Sequence, residues 1–488
     1  MKATHPKLFL ASLLALLSQS LALDAPNYPL GDNLGDCLIA SNTTVLTPNH
    51  DLYDTARQTW NSRTQFQPQY VVRPNSTAEV QHSVRCATHY KTAITAKSGG
   101  HGYAGYAIGG EDGDVTVDLA NMKSIEVGDD GLVRAETGNH LWDLYQAIYE
   151  QGNWALPGGI CPQVGIGGHT AFGGHGPLSR KLGLLLDRVV EAEVVFANGT
   201  ASNVTEGSDA FFAIAGAAPS FATVTSFTYQ AEQAPANTVI FSYSLTNRTV
   251  NETAGAFDAF QTFMDTADLT NDFSALLTLT PGSFELSGTY FGSEEAYHNV
   301  SRPLVQSLNL RDGDSQDVYS VTEFIDLYTQ IYGDFSPVAE PKSFYSKSLM
   351  VDEPLPLSDA RSFFDYLSKN ATKADEEGYG WYIIVEAYNG AVHNISTDAR
   401  SFAHRDALLT FQFFAEMGSS EESLFGLVDG MVDSITTSPR AAYPNYVDPR
   451  LANWQQLYYG SNYDRLKTIK ADLDPQNTFR FPQSVEMP

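Results

Sequence analysis

The 488-residue chain carries 29 Lys+Arg against 57 Asp+Glu, a formal net charge of −28, with 43% hydrophobic and 18% charged residues. So acidic a chain repels nucleic acid and anionic membrane, which excludes both as partners. The length requires more than one folding unit, and the composition is that of an ordinary globular protein.

In chain order, the N-terminus MKATHPKLFLASLLALLSQSLALDAP places Lys2 and Lys7 ahead of an apolar run, Leu8 to Leu17, too short to span a bilayer. Small residues around Ser20 and Ala22 suit a signal peptidase, so residues 1–22 read as a secretory signal peptide. No later run is long enough to span a membrane. Secretion gives weight to the N-x-[ST] sequons at Asn42, Asn75, Asn198, Asn203, Asn247, Asn251, Asn299, Asn370 and Asn394, which predict a glycosylated surface. Of the three cysteines, Cys37 and Cys86 lie near the mature N-terminus and are predicted to pair. Cys161 is then left over, as either a buried inert thiol or one in chemical use.

Residues 23–66 form a polar lead-in. A domain of mixed α/β pattern is predicted over 67–234. Within it Ser76 and Glu79 have capping-box spacing ahead of Val80, Val84 and Ala87, and predict a helix. Thr92–Ala96 reads as a strand running into a glycine turn, and Val115–Leu119 as a second strand. Leu141, Leu144, Tyr145, Ile148 and Tyr149 recur at helical spacing, with Gly152 placed to end the helix. Val190–Phe196 is a strand closed by an Asn198-Gly199 turn. Over 235–438, TVIFSYSL, FSALLTL and GWYIIVEAY read as strands. Helical stretches (NETAGAFDAFQTFMDT, SDARSFFDYLSKN) lie between them, predicting an antiparallel sheet with helices on one face. Residues 439–488 end in a helix with Leu466, Ile469 and Leu473 on one side, stopped by Asp474-Pro475.

Two glycine-rich runs carry the chemistry. The first, SGGHGY at 98–103, contains a literal G-x-G-x-x-G (Gly100, Gly102, Gly105), but no helical period follows it, so it is not a dinucleotide fingerprint. The second, GGICPQVGIGGHTAFGGHGPLSR at 158–180, can converge backbone N–H groups on an anion. His101 and Cys161 each sit within a glycine turn. His101, His169 and His175 lack a ligand spacing and have no carboxylate among them, so no metal site is predicted.

The set resembles the berberine-bridge-enzyme-like FAD-linked oxidases of the vanillyl-alcohol-oxidase superfamily. It runs from SGGH and GICPQVGIGGH through GGHGPLSRKLGLLLDRVVEAEVVFANG to YYGSNYDRLK and DPQNTFRFPQS, and brackets nearly the whole mature chain. Within the family the chain looks most like gluco- and chito-oligosaccharide oxidases.

The resemblance implies an α+β protein, with a PCMH-type FAD-binding domain and a substrate domain built on a helix-covered antiparallel sheet. The C-terminal segment would return to the FAD domain. It implies FAD attached twice, through His101 at the 8α-methyl and Cys161 at C6, in a cradle of Ser98, Gly99, Gly100, Gly102, Val164, Gly165, Gly167, Gly168 and His169. Val164 would favour O2 as acceptor. In the family the base is a tyrosine of Y-x-N-Y, here Tyr443–Tyr446, which assigns it to Tyr446. An assisting carboxylate falls on Glu386, where Asp is usual. Tyr103 matches a tyrosine near the flavin, and Gln412, with Tyr443, lies on the substrate side. The residues alone leave other readings. YPNY can be a turn with core tyrosines, Glu386 a solvent-facing strand residue, and Gln412 a helix-surface residue.

There are departures. Ala215 replaces an arginine, Ala217, Ala218 and Ala222 stand where glycines are common, and His175 stands where an apolar or aromatic residue is common. The implied function is a secreted, monomeric oxidase turning the reducing-end hydroxyl of a mono- or oligosaccharide into a lactone, with O2 yielding H2O2. Oxidation of a secondary metabolite, or binding without turnover, are the alternatives.

Overall fold

The structure, a computed structural model, describes residues 28–332, 340–437 and 440–488. The signal-peptide reading lies outside these residues. Among the described residues no helix is long and apolar enough to cross a membrane.

The N-terminal half is built on two sheets. One has four strands in the order Thr44–Leu46, Tyr70–Arg73, Val115–Asp118, Ile94–Lys97, the last three parallel. The other is an antiparallel five-strander, Ile125–Val127, Leu132–Glu136, Ala222–Gln230, Val189–Phe196, Ala201–Thr205. The helix Thr77–His89 starts where its cap demands. Ser76 Oγ accepts from Glu79 N, while the Glu79 carboxylate reaches past it to Asn75 N at 2.8 Å. The helix Leu141–Glu150 also forms as its spacing predicts, but Gly152 does not end it. The left-handed residue is Asn153, φ 54°, whose N–H bonds Tyr149 O; Asn tolerates that conformation nearly as well as Gly.

The stretch expected to be a polar lead-in is part of the domain. It holds a helix, Leu34–Ile39, and the edge strand Thr44–Leu46, and Lys97 Nζ donates to Ala56 O. Hydrophobic residues spaced too sparsely to show a period account for the misreading. Leu38, Leu46, Tyr53 and Ala56 are each 3% exposed or less. Cys37 and Cys86 form a disulfide that joins this segment to the helix Thr77–His89.

Residues from 238 onward form a seven-stranded, wholly antiparallel sheet. Its order is Ser315–Val321, Thr238–Leu245, Ser283–Tyr290, Phe273–Thr280, Trp381–Ala387, Leu409–Glu416, Phe344–Val351. Helices Val250–Met264, Leu357–Tyr366 and Glu421–Asp433 share one core with one face of it. Strand alternation sorts the side chains. Trp381, Ile383, Val385 and Ala387 enter that helix-side core, whereas Tyr382, Ile384 and Glu386 face the other way.

The C-terminal helix Tyr463–Leu473 packs back on the N-terminal half. Fully buried Lys470 donates to Ser220 O, Phe479 O and Asp474 Oδ2 at 2.6–2.8 Å, and Ile94 N bonds Thr478 O. The molecule is an α+β protein.

The disulfide spans 49 residues, and closing such a loop restricts the unfolded chain by about 4 kcal/mol on the chain-entropy estimate. Replacing both cysteines by alanine is expected to cost roughly 2–4 kcal/mol of stability. Denaturant unfolding followed by fluorescence measures it; an unchanged midpoint rejects the expectation.

Candidate active site

A cavity of about 710 Å3 lies between the N-terminal sheets and the open face of the seven-stranded sheet. Both glycine runs line it. Ser98 Oγ donates to Thr137 O at 2.5 Å and accepts from Gly167 N at 3.2 Å, so one hydroxyl fastens the two runs together. They touch backbone to backbone. A β-carbon on Gly165 would lie 2.1 Å from Gly99 N, and one on Gly99 2.4 Å from Gly165 N. Gly100 adopts φ 70°, which turns the chain back after the strand. At Gly102 and Gly168 a β-carbon would meet nothing within 4 Å; these two positions leave the cavity wall open to a flat ligand.

His101 and Cys161 both line this cavity. The His101 ring stacks on Trp60, centroids 4.9 Å apart and planes 18° apart, and its buried Nε2 has no hydrogen-bond partner. Burial pushes its pKa down to about 4, so the imidazole is neutral and can offer a lone pair to a ligand. Cys161 Sγ lies 3.6 Å from Gln163 Oε1 and 3.4 Å from Tyr332 Oη, and burial pushes the thiol up. His169 lines the cavity and is turned to internal use. Its Nε2 accepts Gly159 N at 2.9 Å, which requires a neutral ring, and burial holds its pKa to about 4. Val164 is also on the wall, its carbonyl taken by Leu141 N.

At the sheet end of the cavity, Tyr446 Oη donates to Glu386 Oε2 at 3.3 Å. Glu386 is thus a cavity residue and not a solvent-facing one. Tyr446 closes a short 3-10 turn, Pro444–Tyr446, and its ring lies parallel to that of Tyr103, centroids 5.7 Å apart. Burial first, then the Glu386 carboxylate, drives the Tyr446 phenol well above its ordinary value, so it rests protonated. Gln412 Nε2 donates to Tyr103 Oη at 2.5 Å. Gln412 is on the strand Leu409–Glu416, one in from the sheet edge, not a helix; its apolar neighbours Phe411 and Phe413 point to the helix-side core while it points to the cavity.

Tyr443 differs from its expected place on the substrate side. It is 2% exposed, is not part of the cavity wall, and its Oη accepts from Gly174 N, His175 N and Asn445 Nδ2. It supports the turn that presents Tyr446. Two wall residues escaped the sequence reading. Trp60 stands in the supposed lead-in, where no spacing marks it. Tyr382, by contrast, precedes Glu386 by four residues on one strand, and period-two alternation places it on the same face. Of the departures, Ala218 and Ala222 border the cavity, while Ala215 is buried behind it.

A profile of the FAD binding domain family matches residues 68–205, and one described as berberine and berberine like matches 442–486. The chain is 32% identical to the FAD-linked oxidoreductase dpmaF of Metarhizium anisopliae over 97% of its own length and 95% of that protein's. It is 31% identical to the chitooligosaccharide oxidase of Gibberella zeae, covering 88% and 89%. The solved glucooligosaccharide oxidase from Acremonium strictum, with its 6-S-cysteinyl, 8α-N1-histidyl FAD, superposes with a TM-score of 0.88 at 27% identity, covering 93% of this chain and 99% of that one. The chain belongs to the berberine-bridge-enzyme-like family of FAD-linked oxidoreductases.

His169 and His404 are both enclosed and held near a pKa of about 4, chiefly by burial. An unfolded chain binds those protons at about 6.5. Their contribution to stability is therefore complete above that pH and is lost as pH falls toward 4, at about 1.4 kcal/mol per pH unit per proton. Melting temperature is expected to drop between pH 7 and 4.5, and His404→Gln should make the drop shallower. Equal slopes in the two proteins reject the assignment.

Proposed function

We propose that the protein is a secreted oxidase that converts the reducing-end hydroxyl of a mono- or oligosaccharide into a lactone, passing electrons to O2 with formation of H2O2. The observation that carries this reading is the 3.3 Å contact of Tyr446 Oη with Glu386 in the cavity that His101 and Cys161 also line. The residues fit FAD. His101 Nε2 is an orphaned buried atom, Gly102 and Gly168 leave room on the wall, and Ser98, Gly99, Gly100, Gly165 and Gly167 line the same wall with backbone packed on backbone. His101 and Cys161 would hold it by two covalent links, as in the glucooligosaccharide oxidase. Bound FAD supplies the two-electron acceptor.

The chain's own residues manage the proton. Tyr446 cannot start as a phenolate, because burial and Glu386 both oppose it. It receives the substrate's hydroxyl proton as it passes its own to Glu386, so no free tyrosinate forms. Tyr103, tied to Gln412, flanks Tyr446 and confines the reacting hydroxyl. Ser242, Ser274, Ser287 and Thr289 on the open sheet face offer hydroxyls to a sugar, and Tyr382 and Tyr319 offer aromatic faces. All nine sequon asparagines are exposed, which supports passage through a glycosylating, secretory route. The protein acts as a monomer.

A second reading, an apolar secondary metabolite as substrate, is favoured by Ile160, Ile240, Leu276, Ile331 and Ile384 on the same wall. Peroxide release from glucose, cellobiose, xylobiose and N,N′-diacetylchitobiose decides. Turnover of a sugar supports the first reading, and silence across the panel rejects it. Tyr446→Phe is expected to slow anaerobic bleaching of the flavin by about 100- to 10,000-fold. Acid-precipitated wild-type protein should stay yellow, and so should His101→Ala and Cys161→Ala singly. Release of the colour from wild type rejects covalent attachment.

A further inference from the structure

His175 belongs to the second glycine run but to none of the roles assigned above. It is 9% exposed, and its Nδ1 lies 3.1 Å from Glu386 Oε1, the oxygen that Tyr446 does not use. Its ring stacks face to face on Tyr388, centroids 4.2 Å apart and planes 11° apart, and its Nε2 is buried without a partner. The two domains meet at this contact, since His175 comes from the glycine run and Glu386 from the seven-stranded sheet.

Glu386 needs such a partner. No lysine or arginine lines the cavity among the described residues. The groups around the carboxylate are phenols, Tyr446, Tyr103, Tyr443 and Tyr388, together with the neutral ring of His169. None of these carries a positive charge. A buried carboxylate is tolerated only when hydrogen-bonded or paired. His175 is the one neighbour that both donates to it and can take up a proton.

We propose that His175 is a positioning residue of the base assembly: Tyr446, Glu386 and His175 act as one relay, in which the imidazole holds Glu386 Oε1 so that Oε2 stays aimed at Tyr446. The proposal rests on Tyr446 being the base. In the step, the substrate O–H bond breaks and a new O–H bond forms on Tyr446 while its former proton moves to Glu386 Oε2. Bound FAD would take the hydride, with both electrons, from the carbon, and O2 would be the final oxidant. Nδ1–H keeps Oε1 in place throughout. His175 faces Glu386 from the sheet and Tyr388 just past the strand's end, its N–H bonds Tyr443 Oη of the C-terminal turn, and His169 stands near it in its own run.

The test compares the flavin-loaded wild type with His175→Leu and His175→Asn, the latter retaining a donor in place of Nδ1. The rate of anaerobic flavin bleaching by cellobiose, or by whichever sugar of the panel is turned over, is followed at saturating sugar. His175→Leu should lower the rate at least tenfold, and His175→Asn should recover much of it. Independently of turnover, the melting temperatures of His175→Leu, Glu386→Gln and the double variant should be non-additive, because the singles each strand one partner. An undiminished rate in His175→Leu, no recovery in His175→Asn, or an additive cycle overturns the proposal. Undiminished bleaching in Tyr446→Phe instead overturns the base assignment beneath it, so the two failures are distinguishable.

Discussion

The site depends on a contact that admits no side chain. Gly99 and Gly165 approach so closely that a β-carbon on either would fall within 2.4 Å of the other's backbone nitrogen. That approach sets the loop bearing His101 against the loop bearing Cys161, and Ser98 locks it with one hydroxyl shared between Thr137 O and Gly167 N. Alanine at either glycine would push the loops apart, and the two nucleophilic side chains would no longer face one cavity. The cost is a backbone clash with no flexible side chain to yield, so relaxation must come from the loops that carry the chemistry.

A second constraint acts through the pleat. Because successive side chains of a strand alternate, the sheet can turn Trp381, Ile383 and Val385 into an apolar core and still present Tyr382 and Glu386 to the cavity. The registers Ile384 opposite Gln412 and Glu386 opposite Thr410 then fix where the carboxylate and the amide stand relative to one another. A one-residue slip would bury Glu386 among phenylalanines and expose the core, so the hydrophobic face itself specifies the site. Rigidity of the base therefore derives from apolar burial on the far side of the sheet.

These two constraints explain what the sequence shows and what it hides. Features governed by local rules are legible. Ser76 caps its helix, Asn198-Gly199 turns, and the strands of the antiparallel sheet lie where alternation puts them. The glycine runs are legible because close backbone approach leaves few alternatives to glycine. Roles set by tertiary contact are not. Trp60 stacks on His101 because Trp60 N bonds Gly100 O across 40 residues, and nothing in its own neighbourhood announces this. Tyr443 and Tyr446 share one motif, yet one accepts three N–H groups behind the wall and the other lines the cavity. Three residues of chain decide that difference, and only the fold shows which is which. The Asn153 helix end is similar: Gly152 satisfies the composition rule, but the neighbouring asparagine takes the left-handed backbone.

The division of labour follows from where each constraint acts. The cofactor-facing groups come from the N-terminal loops, whose shape is a matter of glycine backbone. The proton-handling groups come from the sheet and the C-terminal turn, whose positions are a matter of side-chain packing. Each set is rigid within itself, but oxidation needs the carbon and the hydroxyl of one substrate to meet both sets at once. The alignment must then be held by contacts that cross between them. Besides His175 with Glu386 and Gln412 with Tyr103, such contacts include Asn61, which bridges Tyr103 O and Phe344 O, Tyr443, which ties the glycine run to the C-terminal turn, and buried Lys470, which joins the last helix to Ser220. Asn61, Tyr443 and Lys470 are not themselves wall residues, and all three are polar groups bonded in a buried or part-buried setting, where hydrogen bonds are electrostatically stronger than in water. Conversion of the cavity from a binding site into a reactive one is thus a property of the interface between the halves, and substitutions there can disturb chemistry while leaving both cores intact.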